Sequence, residues 1–200
     1  NGVRASWSVP IRSAGGDAVS AGVVPTSAVS LLTAKHGFSA GVVLSASHNP
    51  FADNGIKIFS SAGVKIPDDW EADLEKDILA ASGETAGNGA GAKESPELVN
   101  DYVEYLKSRT MAHPMNGGQR IVLDCSNGAS SSVAPRIFRD LRYDVVVIND
   151  SPDGRNINRE CGSLHPEGLA AKVREVKAVM GIAYDGDADR AVWVDEKGNV

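Results

Sequence analysis

From about Ala21 onward, short apolar runs alternate with longer amphipathic stretches, and this rhythm constrains the fold more than any other feature of the chain. Short apolar runs between turn residues suit buried strands, while apolar residues recurring every three or four positions suit helices with one face on a core. A parallel strand pair needs a crossover long enough to hold a helix, so the alternation predicts α/β architecture with a mixed, mostly parallel sheet.

Gly22–Val24 and Gly41–Leu44 read as strands, with a helix over Ser27–Ala34 between them, Thr26 as its N-cap and Gly37 as its stop. Gly55–Phe59 reads as a strand with Ile56 and Ile58 on one face. Asp68–Ala81 reads as a helix, because Trp70, Leu74, Ile78 and Leu79 follow helical spacing and Asp68, Asp69 and Glu71 suit its positive N-terminal end. The Gly-rich segment Ser82–Ala92 offers almost no apolar side chain and reads as an exposed loop. Pro96–Arg109 is helical again, and His113-Pro114 with Gly117-Gly118 breaks the chain. That break divides it into residues 1–112 and 113–200. The second block runs strand Ile121–Asp124, helix Ser132–Leu141, strand Val145–Ile148, helix Pro166–Val176, strand Met180–Tyr184 and strand Ala191–Val194. The short return from Tyr184 to Ala191 allows the last strand to be antiparallel.

A chain of 200 residues, 42% of them hydrophobic, can bury one large core or two modest ones. No apolar run approaches the roughly 18 residues of a membrane span, and no signal-peptide pattern opens the chain. A net charge of −6 without a basic block argues against nucleic-acid binding. Two cysteines, Cys125 and Cys161, fit a reducing compartment better than a disulfide framework. These points predict a cytoplasmic protein without membrane or nucleic-acid partners. The start at Asn1 and the end just after Glu196-Lys197-Gly198-Asn199 read as cuts at both ends.

Two loops carry chemistry. Gly41–Leu44 runs into Ser45-Ala46-Ser47-His48-Asn49-Pro50, where Pro50 holds Asn49 extended and stiffens the turn. A serine beside an imidazole suits a nucleophile with a base at hand, although the same residues also suit a capped strand–loop junction. The second loop, Asp185-Gly186-Asp187-Ala188-Asp189-Arg190, places three carboxylates at the end of an apolar run. Alternate aspartates on extended backbone can converge on one hard cation, and a phosphate oxygen can complete its shell. An EF-hand fits Asp185, Asp187, Asp189 and Glu196, but its required glycine is replaced by Arg190 and the flanks read as strands. Cys161 and His165 form a single pair, too few for a structural zinc site.

Ser45–Pro50, followed by Asp53-Asn54-Gly55-Ile56-Lys57, closely resembles the phosphoserine signature of the α-D-phosphohexomutases, and Asp185–Arg190 resembles that family's metal loop. The resemblance implies that Ser47 carries a phosphoryl group and that His48, Lys57 and Arg190 lie near it as catalytic groups. It further implies that Asn49 holds the loop or phosphate, and that Mg²⁺ sits on Asp185, Asp187 and Asp189 with a Ser47 phosphate oxygen. The stretch from Asn156-Ile157-Asn158 to Cys161-Gly162-Ser163-Leu164-His165-Pro166-Glu167 resembles the phosphoglucosamine mutase branch, with Leu164 where threonine is usual. Asn1–Ala21 departs from the family pattern. The implied partner is a phosphosugar, and the implied whole has further C-terminal domains for the sugar and its distal phosphate. The implied reaction interconverts glucosamine 6-phosphate and glucosamine 1-phosphate. Phosphomannomutase or phosphoglucomutase activity is the nearest alternative, and a non-catalytic phosphosugar- or metal-binding fragment is another.

Overall fold

Arg120–Asp124 is apolar through its middle, and a strand of that kind needs cover on both faces. It forms β5, and its neighbours supply the cover. The computed structural model describes residues 15–80, 92–110 and 118–200. In the second block a four-stranded sheet runs in the order β6 (Asp144–Ile148), β5, β7 (Met180–Tyr184), β8 (Ala191–Asp195). β5 pairs in parallel with β6 and β7, and β8 closes the edge antiparallel to β7 with Ile182 opposite Trp193. The short return after Tyr184 thus makes a hairpin-like pair.

Helix α4 (Ala134–Asp140) covers one face, packing with Ile121, Leu123 and Ile182. Helix α5 (Glu167–Val176) covers the other, where Leu169, Ala170 and Val173 meet Val122, Ala183 and Val194. Gly181 is what lets α5 approach, since a Cβ there would lie 2.7 Å from Leu169 Cδ1 and Val173 Cγ2. The crossovers from β5 to β6 and from β6 to β7 leave in opposite directions, so the sheet has a switch point between the C-terminal ends of β5 and β7. Crevices for ligands form at such points in open α/β sheets.

The first block is more mixed. β2 (Ala40–Leu44) and β3 (Ile56–Ser60) are antiparallel, and β1 (Val19–Ser20) pairs in parallel with β4 (Lys93–Glu94). Helices α1 (Thr26–His36) and α3 (Glu97–Arg109) bury Ala28, Leu32, Leu98, Tyr102 and Val103 together with Val133 of the second block. α2 (Asp68–Ala80) forms as its spacing predicts. None of its described side chains is buried, and Trp70 and Leu79 stand exposed.

Several expectations are corrected. Gly22–Val24 is not a strand: Gly22 adopts φ 80°, Val23 faces solvent, and the short strand lies earlier, at Val19–Ser20. Pro25 and not Thr26 caps α1, because Thr26 is already the first helical residue and is turned toward Asp187. Ile56 and Ile58 do share a face of β3, but it is the more open one, with Ile56 exposed, and Phe59 with Lys57 lies on the other. The helix expected over Ser132–Leu141 begins as a 3₁₀ turn at Ala129–Ser132, and Pro135 sets the start of α4. Of the predicted breaks, the Gly-rich loop up to residue 91 and His113 to Gly117 lie outside the described residues.

Candidate active site

β2 ends at Leu44, and the chain then turns through a loop pinned by Ser45 N–H to the Gly55 carbonyl (2.9 Å), Ser47 N–H to Ser45 Oγ (2.9 Å) and Asn49 N–H to the Ala46 carbonyl (3.1 Å). Ser47 sits at φ 56°, a left-handed conformation that serine seldom adopts. Such a backbone persists only where its surroundings hold it, and the holders come from the second block. β7 ends at Tyr184, and the following turn closes through Ala188 N–H to the Asp185 carbonyl (3.0 Å). Ala188, at φ 55°, is a second left-handed residue.

The two loops meet. Ser47 Oγ donates to Asp185 Oδ2 at 2.9 Å and accepts from Arg190 Nη2 at 2.8 Å. Arg190 Nε donates to Asp185 Oδ2 at 3.1 Å, and Arg190 Nη2 reaches His48 Nδ1 at 2.5 Å. A guanidinium has no acceptor, so His48 Nδ1 accepts and its ring proton belongs on Nε2. Lys57 Nζ, carried inward on the buried face of β3, lies 2.6 Å from Asp187 Oδ2 and 3.6 Å from Asp189 Oδ2. Thr26 supports the same aspartate: Oγ1 donates to Asp187 Oδ2 at 2.6 Å and its N–H to the Asp187 carbonyl at 3.0 Å. Asn158 Nδ2, from the loop after β6, donates to the carbonyls of Ser47 (3.0 Å) and Asn49 (2.9 Å).

Ser47, His48, Asn49, Lys57, Asp185, Asp187, Asp189 and Arg190 therefore lie at one place. Lys57 contacts the carboxylates and not Ser47 Oγ. Asn49 contributes main-chain groups. Sequence reasoning missed Thr26, assigned as a cap, and Asn158, used only as part of a pattern. Neither carries a local signal, since each acts on a residue more than a hundred positions away. It also missed the glycine contact beneath: a Cβ on Gly128 would collide with the Gly186 carbonyl, which accepts from Ala129 N–H at 2.8 Å.

Carboxylate oxygens of Asp185, Asp187 and Asp189 lie within 4.8 Å of one another. Asp185 and Asp187 are buried, and Asp187 Oδ1 has no hydrogen-bond partner among the described residues. A buried carboxylate oxygen left unpaired is costly, and a cation relieves it. Burial raises the Asp189 carboxyl above the usual carboxylate range, and the nearby Asp187 and Asp185 charges add to the rise. Burial pushes Asp187 the same way, but hydrogen bonds from Lys57 and Thr26 outweigh it and hold that group low. The trio fits a hard divalent cation: oxygen donors only, one partner missing, and three carboxylates facing the two cations Lys57 and Arg190.

The family model described as phosphoglucomutase/phosphomannomutase, alpha/beta/alpha domain I matches residues 8–84, so the departure expected over Asn1–Ala21 does not hold from residue 8 onward, and that for domain II matches residues 100–198. A phosphoglucosamine mutase of Caldicellulosiruptor saccharolyticus is 48% identical over 193 residues, covering 94% of this chain and 43% of the relative. One from Clostridioides difficile is 46% identical over 202 residues, covering 99% of this chain and 45% of the relative. A crystal structure of a phosphoglucomutase/phosphomannomutase family protein from Burkholderia thailandensis superposes with a TM-score of 0.75 at 29% identity, over 94% of this chain and 42% of that one. The chain thus spans less than half the length of these relatives. No described helix is long and apolar enough to cross a membrane.

Proposed function

This chain belongs to the phosphoglucomutase/phosphomannomutase family, and from that premise we propose that the polypeptide containing it interconverts glucosamine 6-phosphate and glucosamine 1-phosphate. The observation that carries the reading is the placement of Ser47 Oγ between Asp185 and Arg190, beside a carboxylate trio with a buried oxygen unpaired among the described residues. Ser47 is the phosphoryl carrier. In the forward half-reaction a sugar hydroxyl oxygen bonds to phosphorus, the Ser47 Oγ–P bond breaks, and the hydroxyl proton ends on the departing Oγ. In the return half-reaction Oγ bonds to the other phosphorus of the bisphosphate, that sugar O–P bond breaks, and the proton given up by Oγ ends on the released sugar oxygen.

Arg190 already donates to Oγ and is the group that meets negative charge on the seryl oxygen and its phosphate. His48, with Nδ1 accepting from Arg190 and its proton on Nε2, presents an N–H donor to a sugar or phosphate oxygen. Lys57 holds Asp187 and Asp189 in place and supplies positive charge at the edge of the phosphate site. Asn49 closes the loop through its main chain. Asp185, Asp187 and Asp189 would hold Mg²⁺, whose contribution when bound is to neutralise the transferring phosphoryl group. The division at 112/113, with the serine loop in one block and the metal loop in the other, belongs to this reading. So does a cytoplasmic setting, supported by the free thiols of Cys125 and Cys161.

The choice of glucosamine over mannose or glucose phosphates rests on the relatives at 46–48% identity and on the 156–167 loop. Incubation of the full polypeptide with glucosamine 1,6-bisphosphate should place phosphate on Ser47, and turnover should be highest with glucosamine 6-phosphate. Label on Ser45 alone, or activity surviving Ser47→Ala, overturns the carrier assignment; faster turnover of mannose or glucose phosphates overturns the sugar assignment.

A further inference from the structure

We propose that Asn158 is a positioning residue that sets the aim of Ser47 from across the junction of the two blocks. The inference rests on Ser47 being the reacting group, as proposed above, and goes beyond it by naming what holds that group in place. The carboxamide nitrogen donates to two carbonyls of the same loop, Ser47 O at 3.0 Å and Asn49 O at 2.9 Å. These partners also assign the amide's orientation, since its oxygen turned to that side would face two carbonyl oxygens. Ser47 is left-handed, so its carbonyl points where an ordinary turn would not send it, and Asn158 is the donor that meets it.

The prop itself is stiff. Asn158 sits at φ 57° and donates its own N–H to the Ser126 carbonyl at 3.0 Å. Asp153 Oδ1 accepts from Arg155 N–H (2.7 Å) and Asn156 N–H (2.8 Å), and Asn156 Nδ2 returns to the Ser151 carbonyl at 3.0 Å. A loop fixed by its own side chains can transmit position, where a floppy one would yield. Gly186 leaves the room for this contact, since a Cβ there would lie 2.8 Å from Asn158 Nδ2 and 2.5 Å from Ser47 O. Serine loop, metal loop and prop are therefore in mutual contact, and the prop is the member with no charge to contribute. Its role is geometric.

The test separates geometry from chemistry. Asn158→Gly removes both donors yet accepts the left-handed backbone, and Asn158→Asp keeps size and backbone tolerance while facing both carbonyls with oxygen. Asn149→Gly is the structural control, since Asn149 is also left-handed, at φ 51°, but its amide bonds Asp124 Oδ1 at 3.0 Å, away from Ser47. Amide hydrogen exchange of the 45–50 segment is read in the full polypeptide, followed by steady-state kinetics.

Exchange there should quicken by about tenfold in both Asn158 variants and stay at the wild-type rate in Asn149→Gly. The kcat should fall by about 10–100-fold while KM for glucosamine 6-phosphate stays within about twofold, with Asp at least as severe as Gly. Wild-type exchange in both Asn158 variants overturns the proposal. So does wild-type kcat, or an Asp variant that behaves as wild type. If the unmutated protein shows no mutase turnover, the functional reading has failed, and the exchange measurement alone still decides whether Asn158 holds the loop. A melting temperature measured for each variant identifies one that has merely unfolded, and the Asp variant then carries the test.

Discussion

Gly186→Ala is the smallest change that tests whether the two loops must touch. Gly186 lies between two metal-loop aspartates, at a backbone conformation open to any residue, so the substitution acts through space and not through strain. An added Cβ would stand 2.5 Å from the Ser47 carbonyl oxygen and 2.8 Å from Ile157 Cδ1, against 3.4 Å for the onset of ordinary contact. The shortfall at the carbonyl is about 0.9 Å, and the nearest atom is backbone that cannot rotate away. The serine loop must move by something near that distance, or the metal loop must. Overpacking of this kind typically costs about 1–3 kcal/mol in stability. A displacement of about 1 Å at a reacting group can cost about 100-fold in rate. Chemical denaturation and steady-state turnover of the full polypeptide should therefore show a modest loss of stability beside a fall in kcat of one to two orders of magnitude. Wild-type kcat in a folded Gly186→Ala protein would refute the claim that contact between the loops sets the position of Ser47.

Asp187→Asn should weaken Mg²⁺ binding by more than about tenfold in calorimetry, since it removes a ligand charge from a buried position; unchanged affinity refutes the metal assignment. Magnesium should bind more tightly once Ser47 is phosphorylated, and equal affinity in the two forms refutes a shared site. Burial raises the Cys161 thiol to about 11 and the Cys125 thiol to about 12. The folded chain should thus resist thiol reagents at pH 8, and stability present below the ordinary thiol value of 9.0 should be lost as pH rises through that window. Rapid native labelling of both cysteines contradicts this. Leu169→Ala empties a site with 0% exposure beneath α5 and should cost about 2–5 kcal/mol, read as a shift in the urea midpoint with unchanged slope. A loss below about 1 kcal/mol would mean that α5 is not fixed as described.

Legibility followed the range of the interactions. Met180–Tyr184 and Asp68–Ala80 were readable because a run of apolar residues, or a repeat of them, is written locally. Thr26 was not. Its position before an apolar helix is what a cap looks like, and only the approach of Asp187, 161 residues away, makes it a second-block ligand instead. Asn158 fails to stand out for the same reason. Gly22–Val24 misled because two valines before a proline resemble a strand end, whereas Gly22 in a left-handed conformation breaks the ladder. The residue types of the serine loop suited a capped junction as well as chemistry, so its reading came from the resemblance to a family signature, and the partners were not legible at all: Lys57 belongs to the aspartates, and nothing in its neighbourhood along the chain says so.

The division of charge between the blocks explains why the site lies at their junction. The metal loop alone would hold three carboxylates at close quarters, two of them buried, a state that desolvation and mutual repulsion both oppose. Its own cation, Arg190, covers Asp185 and Asp189 but leaves Asp187 to the other block, where Thr26 and Lys57 meet it. The first block has the converse need. Lys57 points inward at the end of β3, and the left-handed Ser47 needs donors for a carbonyl that its own loop does not satisfy. Docking the blocks answers both demands at once, so the interactions that build the site also hold the blocks together. One demand is left open, the oxygen of Asp187 that is unpaired among the described residues. A divalent cation would answer it and overshoot, leaving positive charge beside Ser47 Oγ, where a phosphoryl group of about −1.5 to −2 charge is the natural complement. Each charged component thus prepares the place of the next, which is why Ser47, the carboxylates and the cations lie at one junction and not in separate pockets of the two blocks.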